Sequence, residues 1–135
     1  LKKGAAFRRY LPVPAAVLAW VLAACFTLLL DEWHLLTFCP SDMRDGSVCY
    51  EEGWEIWSAW IVALGAIVSA FMVVCVAVLA AATAKIKVAH RAFLVGTVAA
   101  SVLGFFTEYY LQALLAIASG AFACWVVHRI FSGKH

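Results

Sequence analysis

Cys39 and Cys49 bracket Pro40, Ser41, Asp42, Met43, Arg44, Asp45, Gly46, Ser47 and Val48, a stretch with the Pro, Asp and Gly content of a turn. Two cysteines at that spacing predict a disulfide. Closing a loop of this length contributes about 3 kcal/mol in the chain-entropy account, and it requires an oxidising compartment. A redox-active dithiol is disfavoured, because such pairs use Cys-x-x-Cys. Cys25, Cys75 and Cys124 fall inside apolar runs, where a free cysteine behaves as a small apolar residue.

Four other groups of residues have types suited to binding or proton chemistry. Trp54, Trp57 and Trp60 recur at every third position, with Trp33, Tyr50, Tyr109 and Tyr110 expected at similar depth. An interfacial aromatic belt accounts for them, and a docking face for a partner protein or lipid is the rival. Glu108 is the one acid outside the stretch Asp31–Glu55. An ionisable group at depth in lipid is a functional candidate, but its place at a predicted turn favours a solvated residue.

His90-Arg91 and His128-Arg129 are two His-Arg pairs, expected at one level on neighbouring helices. Snorkelling cations and interface histidines explain them most simply, binding of an anionic lipid headgroup comes second, and axial haem ligation third. His34 beside Asp31 and Glu32 is too small a set for a metal site. No nucleotide-binding loop, Ser-His-Asp order, zincin helix or EF-hand is present, so neither catalytic residues, metal nor cofactor is expected.

The elements that position these residues follow from composition. With 66% hydrophobic and 13% charged residues in 135, the chain lies outside the range of soluble domains and reads as a single integral membrane domain. A net charge of +2, with its basic residues in short clusters, argues against nucleic acid. Apolar segments are predicted at 12–30, 54–84, 88–106 and 109–131, with an outer loop at 31–53. Lys85 and Lys87 are expected to end the second segment. The short Thr107-Glu108 link makes the last two an antiparallel hairpin. Leu22-Ala23-Ala24-Cys25 has the look of a lipoprotein cleavage box, but the apolar run continues through Leu30, which predicts an uncleaved anchor.

Charge then orients the four spans. Asp31, Glu32, Asp42, Asp45, Glu51, Glu52 and Glu55 lie together with a single basic residue, Arg44. Lys2, Lys3, Arg8, Arg9, Lys85, Lys87, Arg91, Arg129 and Lys134 fall on the opposite side. The positive-inside rule therefore predicts cytoplasmic termini and an extracytoplasmic loop, in a bacterial inner membrane or a plasma membrane. Small residues suggest contacts: Gly96, Ala100 and Gly104 facing Ala116, Gly120 and Cys124, with a further seam at Gly65 and Ser69.

The expected fold is an all-α membrane protein, a four-helix bundle with one disulfide-bonded outer loop. This layout is similar to that of claudin-like tetraspan proteins, although the loop is about half as long and the Gly-Leu-Trp element is missing. Disulfide-oxidising membrane proteins share the span count but need a Cys-x-x-Cys that this chain lacks. Neither likeness carries residues across. The function expected is that of a non-enzymatic accessory or assembly subunit, binding membrane lipids and a partner protein or second copy through its loop and aromatic rim. A small oligomeric transporter or flippase using Glu108, Gln112, Ser69, Ser101 or Ser119 is the alternative, and a haem or redox protein the third reading.

Overall fold

The computed structural model describes residues 2–133, without the side chains of Lys2, Lys3, Ala5 and Ala6; the basic side chains expected at Lys2, Lys3 and Lys134 thus lie outside the described residues. Five helices follow in order: α1 (Lys2–Tyr10), α2 (Pro12–Phe38), α3 (Trp54–Ala80), α4 (Lys85–Thr107) and α5 (Tyr110–Ser132). Among the described residues four helical spans are long and apolar enough to cross a membrane, the first running from Phe7 in α1 through α2 to Phe38.

Pro12 and Pro14 explain the break before α2. Neither has an amide to donate to the carbonyl four residues back, so the hydrogen-bond ladder lapses while Leu11 keeps helical angles of φ −53° and ψ −35°. At its far end α2 does not stop at Leu30 as expected. It carries Asp31, Glu32, Trp33 and His34 on to Phe38, and the outer connection shrinks accordingly. Nothing in Leu30–Phe38 breaks a helix; Pro40 is the first residue that does.

The second long helix also differs from its expected bounds. It ends at Ala80, and Ala81–Ala84 forms a link closed by Ala84 in the left-handed region at φ 53°. Lys85 and Lys87 open α4 instead of ending α3. Glu108, at φ 60°, ends α4 and turns the chain into α5.

Between α2 and α3 the chain makes a short hairpin, β1 (Arg44–Asp45) with β2 (Val48–Cys49), antiparallel with Arg44 opposite Cys49. Gly46, at φ 60°, favours the tight reversal, since an L side chain is strained in that left-handed conformation. The predicted Cys39–Cys49 disulfide is formed, with Cα atoms 6.1 Å apart. It ties the end of α2 to the hairpin, and Leu35 and Trp54 pack around it.

The packing is lopsided. Helices α3, α4 and α5 pack mutually around a core of Val74, Val78, Ala89, Ala123, Cys124 and Val127. Helix α2 packs substantially against α3 but not against α4 or α5. The expected seams are met in part. Gly104 sits against Ala113, Gly120 against Phe93, and the Cys124 thiol lies 3.3 Å from the Ala89 carbonyl, so α4 and α5 do meet through small residues. Gly96 does not belong to that seam: it is exposed, with open space where a Cβ would stand. A helix this apolar offers small residues on several faces, and spacing alone does not select one. Gly65 is the contact point with α2, since a Cβ there would overlap the side chain of Thr27.

These contacts also set which charges share an end. Thr27 beside Gly65 and Asp31 beside Ser58 make α2 and α3 antiparallel, and Lys85 beside Phe131 and Gly104 beside Ala113 do the same for α4 and α5. Ser119 beside Ile67 makes α5 parallel to α3. Arg8, Arg9, Lys85, Arg91 and Arg129 therefore gather at one end, with Asp31, the loop acids and Glu108 at the other.

Candidate functional site

The groove at the acidic end is built from two helix faces. On α2, Leu30, Trp33, His34 and Phe38 follow the i, i+3, i+4, i+8 pattern of one helical stripe. On α3, Trp57, Trp60, Ile61 and Leu64 follow i, i+3, i+4, i+7. The two stripes line an open groove of about 600 Å³, with Glu51, Glu52, Gly53 and Trp54 at its rim. That volume falls within the roughly 300–1,000 Å³ of small-molecule sites.

His34 is the centre of the aromatic cluster. Its ring lies 4.6 Å from that of Trp54 and 5.1 Å from that of Phe38, tilted by 30° and 36°, with Trp57 at 6.1 Å. Its Nδ1 is buried and without a hydrogen-bond partner among the described residues. Trp33 meets Phe38 edge to face at 6.0 Å. Trp54 is half-buried on the disulfide cluster, while Trp57, Trp60 and Trp33 remain 62%, 61% and 56% exposed. The inner rings are thus held by packing, and the outer tryptophans are more than half exposed.

The groove walls are held in register by two crossings, one at the level of the tryptophans and one at the groove's lower end. Ser58 Oγ donates to Asp31 Oδ1 at 3.1 Å, and Thr27 fits into the space left by Gly65. Thr27 Oγ1 is itself satisfied by the Ala23 carbonyl at 2.8 Å.

The remaining predicted residues lie elsewhere. His90 and His128 are both exposed, and the α4–α5 seam near them is filled by Ala89 against Cys124. His90 Nδ1 is 2.8 Å from the Ile86 carbonyl of its own helix, and Arg129 lies over the Trp125 ring at 5.5 Å. Arg91 is exposed on α4. Glu108 is exposed in the α4–α5 turn. Ser101 donates to the Thr97 carbonyl at 2.8 Å within α4, and Ser119 donates across to the Ile67 carbonyl at 2.7 Å. Ser69 and Gln112 are half-buried. Among the described residues no group of three His, Cys, Asp or Glu side chains stands ready to hold a metal ion.

His34, Trp33 and Phe38 were not assigned to a common site by sequence. The signal was their helical spacing, which becomes visible only once the helix is allowed to continue past Leu30. Ending the span at the first charge hid it. Compared with family models, curated proteins and solved structures, the chain gives no match.

Proposed function

We propose that this protein is a small integral membrane binding subunit that carries out no catalysis itself, and that its acidic end receives a lipid or partner at the level of the membrane surface. The observation that carries this reading is the aromatic groove between α2 and α3. It has a packed inner layer around His34, an outer layer of exposed tryptophans, and a rim at Glu51–Trp54 that adjoins the disulfide. Trp and Tyr suit the boundary between lipid and water because an apolar ring carries one polar atom. The wide apolar surface of α2, exposed at Val17, Leu18, Leu22, Phe26 and Leu29, fits contact with lipid chains or with another membrane helix.

In this reading the basic ends Arg8, Arg9, Lys85, Arg91 and Arg129 face the cytoplasm and the disulfide hairpin faces an oxidising compartment. His90-Arg91 and His128-Arg129 then anchor the inner rim.

The test is native mass spectrometry of the full chain released from mild detergent, beside the Trp57→Leu/Trp60→Leu double variant. Retained lipid or a co-purifying chain in the wild type, reduced in the variant, is the expected result. A wild type that emerges bare and single, with a spectrum identical to that of the variant, rejects the reading.

A further inference from the structure

We infer that the groove between α2 and α3 is a site for an organic cation, with a quaternary ammonium group of an amphiphile seated against its tryptophans beneath Glu51 and Glu52. The inference rests on the binding reading above and names the ligand's chemistry.

Three observations converge on it. The first is the wall chemistry. Trp33, Trp57 and Trp60 line the groove and are more than half exposed, and an aromatic face attracts a cation through its quadrupole, most strongly for indole. Quaternary ammonium groups are the cations best matched to such walls, because their charge is spread over methyl groups that need no hydrogen bonds. Most of the groove lining is apolar, so a heavily hydrated cation gains little there.

The second is charge. Glu51 and Glu52 lie on the rim, and Asp31, Glu32, Asp42, Asp45 and Glu55 share that end with Arg44 as their only basic neighbour in the stretch. Clustered charge of one sign raises the local concentration of the opposite ion. The chain's own cation–π contacts, Lys85 over Phe131 and Arg129 over Trp125, both lie at the opposite end. Among the described residues no internal cation covers the groove tryptophans.

The third is shape. Below the tryptophans the groove continues onto Leu30, Ile61 and Leu64, an apolar strip directed toward the middle of the spans. A cationic head with an alkyl tail matches both parts, the head among the rings and the tail along the strip.

The experiment is a tryptophan-fluorescence titration of the intact protein in a nonionic maltoside detergent with decyltrimethylammonium. A parallel titration uses its neutral isostere, in which carbon replaces the ammonium nitrogen. A saturable change is expected with the cation, and about tenfold weaker binding of the isostere. Glu51→Gln/Glu52→Gln and Trp57→Leu, all at exposed positions, are each expected to weaken the cation about tenfold while leaving helical circular dichroism intact. Equal binding of cation and isostere by the wild type overturns the inference, and so does unchanged cation affinity in both variants. Decylphosphocholine separates the sources: saturable binding assigns the ammonium to a zwitterionic lipid headgroup, and absence of binding assigns it to a lipid-free amphiphilic cation, either being a form of the proposed site. A groove that loses its native-spectrum ligand on Trp57→Leu/Trp60→Leu yet ignores charge overturns the cation class alone, and the binding reading stands.

Discussion

Ser58 on α3, between Trp57 and Trp60, donates a 3.1 Å hydrogen bond to the carboxylate of Asp31 on α2, at the level of the groove tryptophans. It is a side-chain bond between two helices whose remaining contact is almost wholly apolar, so it sets register where dispersion alone is tolerant of sliding. Ser58→Ala and Asp31→Ala are each expected to lower stability by about 1 kcal/mol, and the double variant by less than the sum. A double-mutant cycle from thermal denaturation in detergent reads the coupling. Full additivity would show that the contact does not act as a pair.

The disulfide closes the end of α2 onto the hairpin, and Trp54 packs on its sulfur-bearing residues. Cys39→Ser/Cys49→Ser is expected to cost about 2–3 kcal/mol, consistent with loss of a short-loop constraint. Because Trp54 then loses its packing surface, its emission should shift to the red. Static emission with an unchanged melting temperature contradicts this.

Gly65 and Gly96 make a paired test of helix packing. A Cβ at Gly65 runs into Thr27, whereas one at Gly96 meets nothing within 4 Å. Gly65→Ala should destabilise by about 1–3 kcal/mol, the usual cost of overpacking, with Thr27→Ala restoring part of it. Gly96→Ala should be neutral or stabilising by up to about 1 kcal/mol, since alanine is the better helix former. Melting temperatures of Gly65→Ala, Gly65→Ala/Thr27→Ala and Gly96→Ala decide the matter, and equal effects at both glycines would contradict the α2–α3 contact.

Two residues with side chains occupy left-handed backbone: Ala84 at φ 53° and Glu108 at φ 60°. Each L-residue there costs about 1–2 kcal/mol relative to glycine's freedom. Ala84→Gly should therefore stabilise the α3–α4 link by about 1 kcal/mol, and Glu108→Gly the α4–α5 turn by a similar amount. Chemical denaturation of both variants measures it. A loss of stability in Glu108→Gly would show that its carboxylate does more than cap a turn.

Much of this architecture follows from local features that need no partner to be read. Four apolar runs, the Cys39 and Cys49 spacing, and the separation of basic from acidic residues each reflect composition along the chain, and all reappear in the fold. The ends of the runs were less legible, because charge was taken as the limit of the helix. An acid such as Asp31 or Glu32 limits the apolar stretch but not the backbone, which continues to Phe38 until Pro40 removes the next donor.

Contacts between helices were decided by tertiary packing alone. The long helices are apolar on nearly every side, so periodicity does not tell an interior face from an outward one, and Gly96 and Gly65 look alike until a neighbour is in place. Helix α2 settles mainly on α3, and although Gly65 is legible as a small-residue seam, no pattern says which helix fills it. That docking is what brings His34 against Trp54 and Trp57, residues separated by the whole disulfide hairpin, and a groove between two helices exists only where both faces meet.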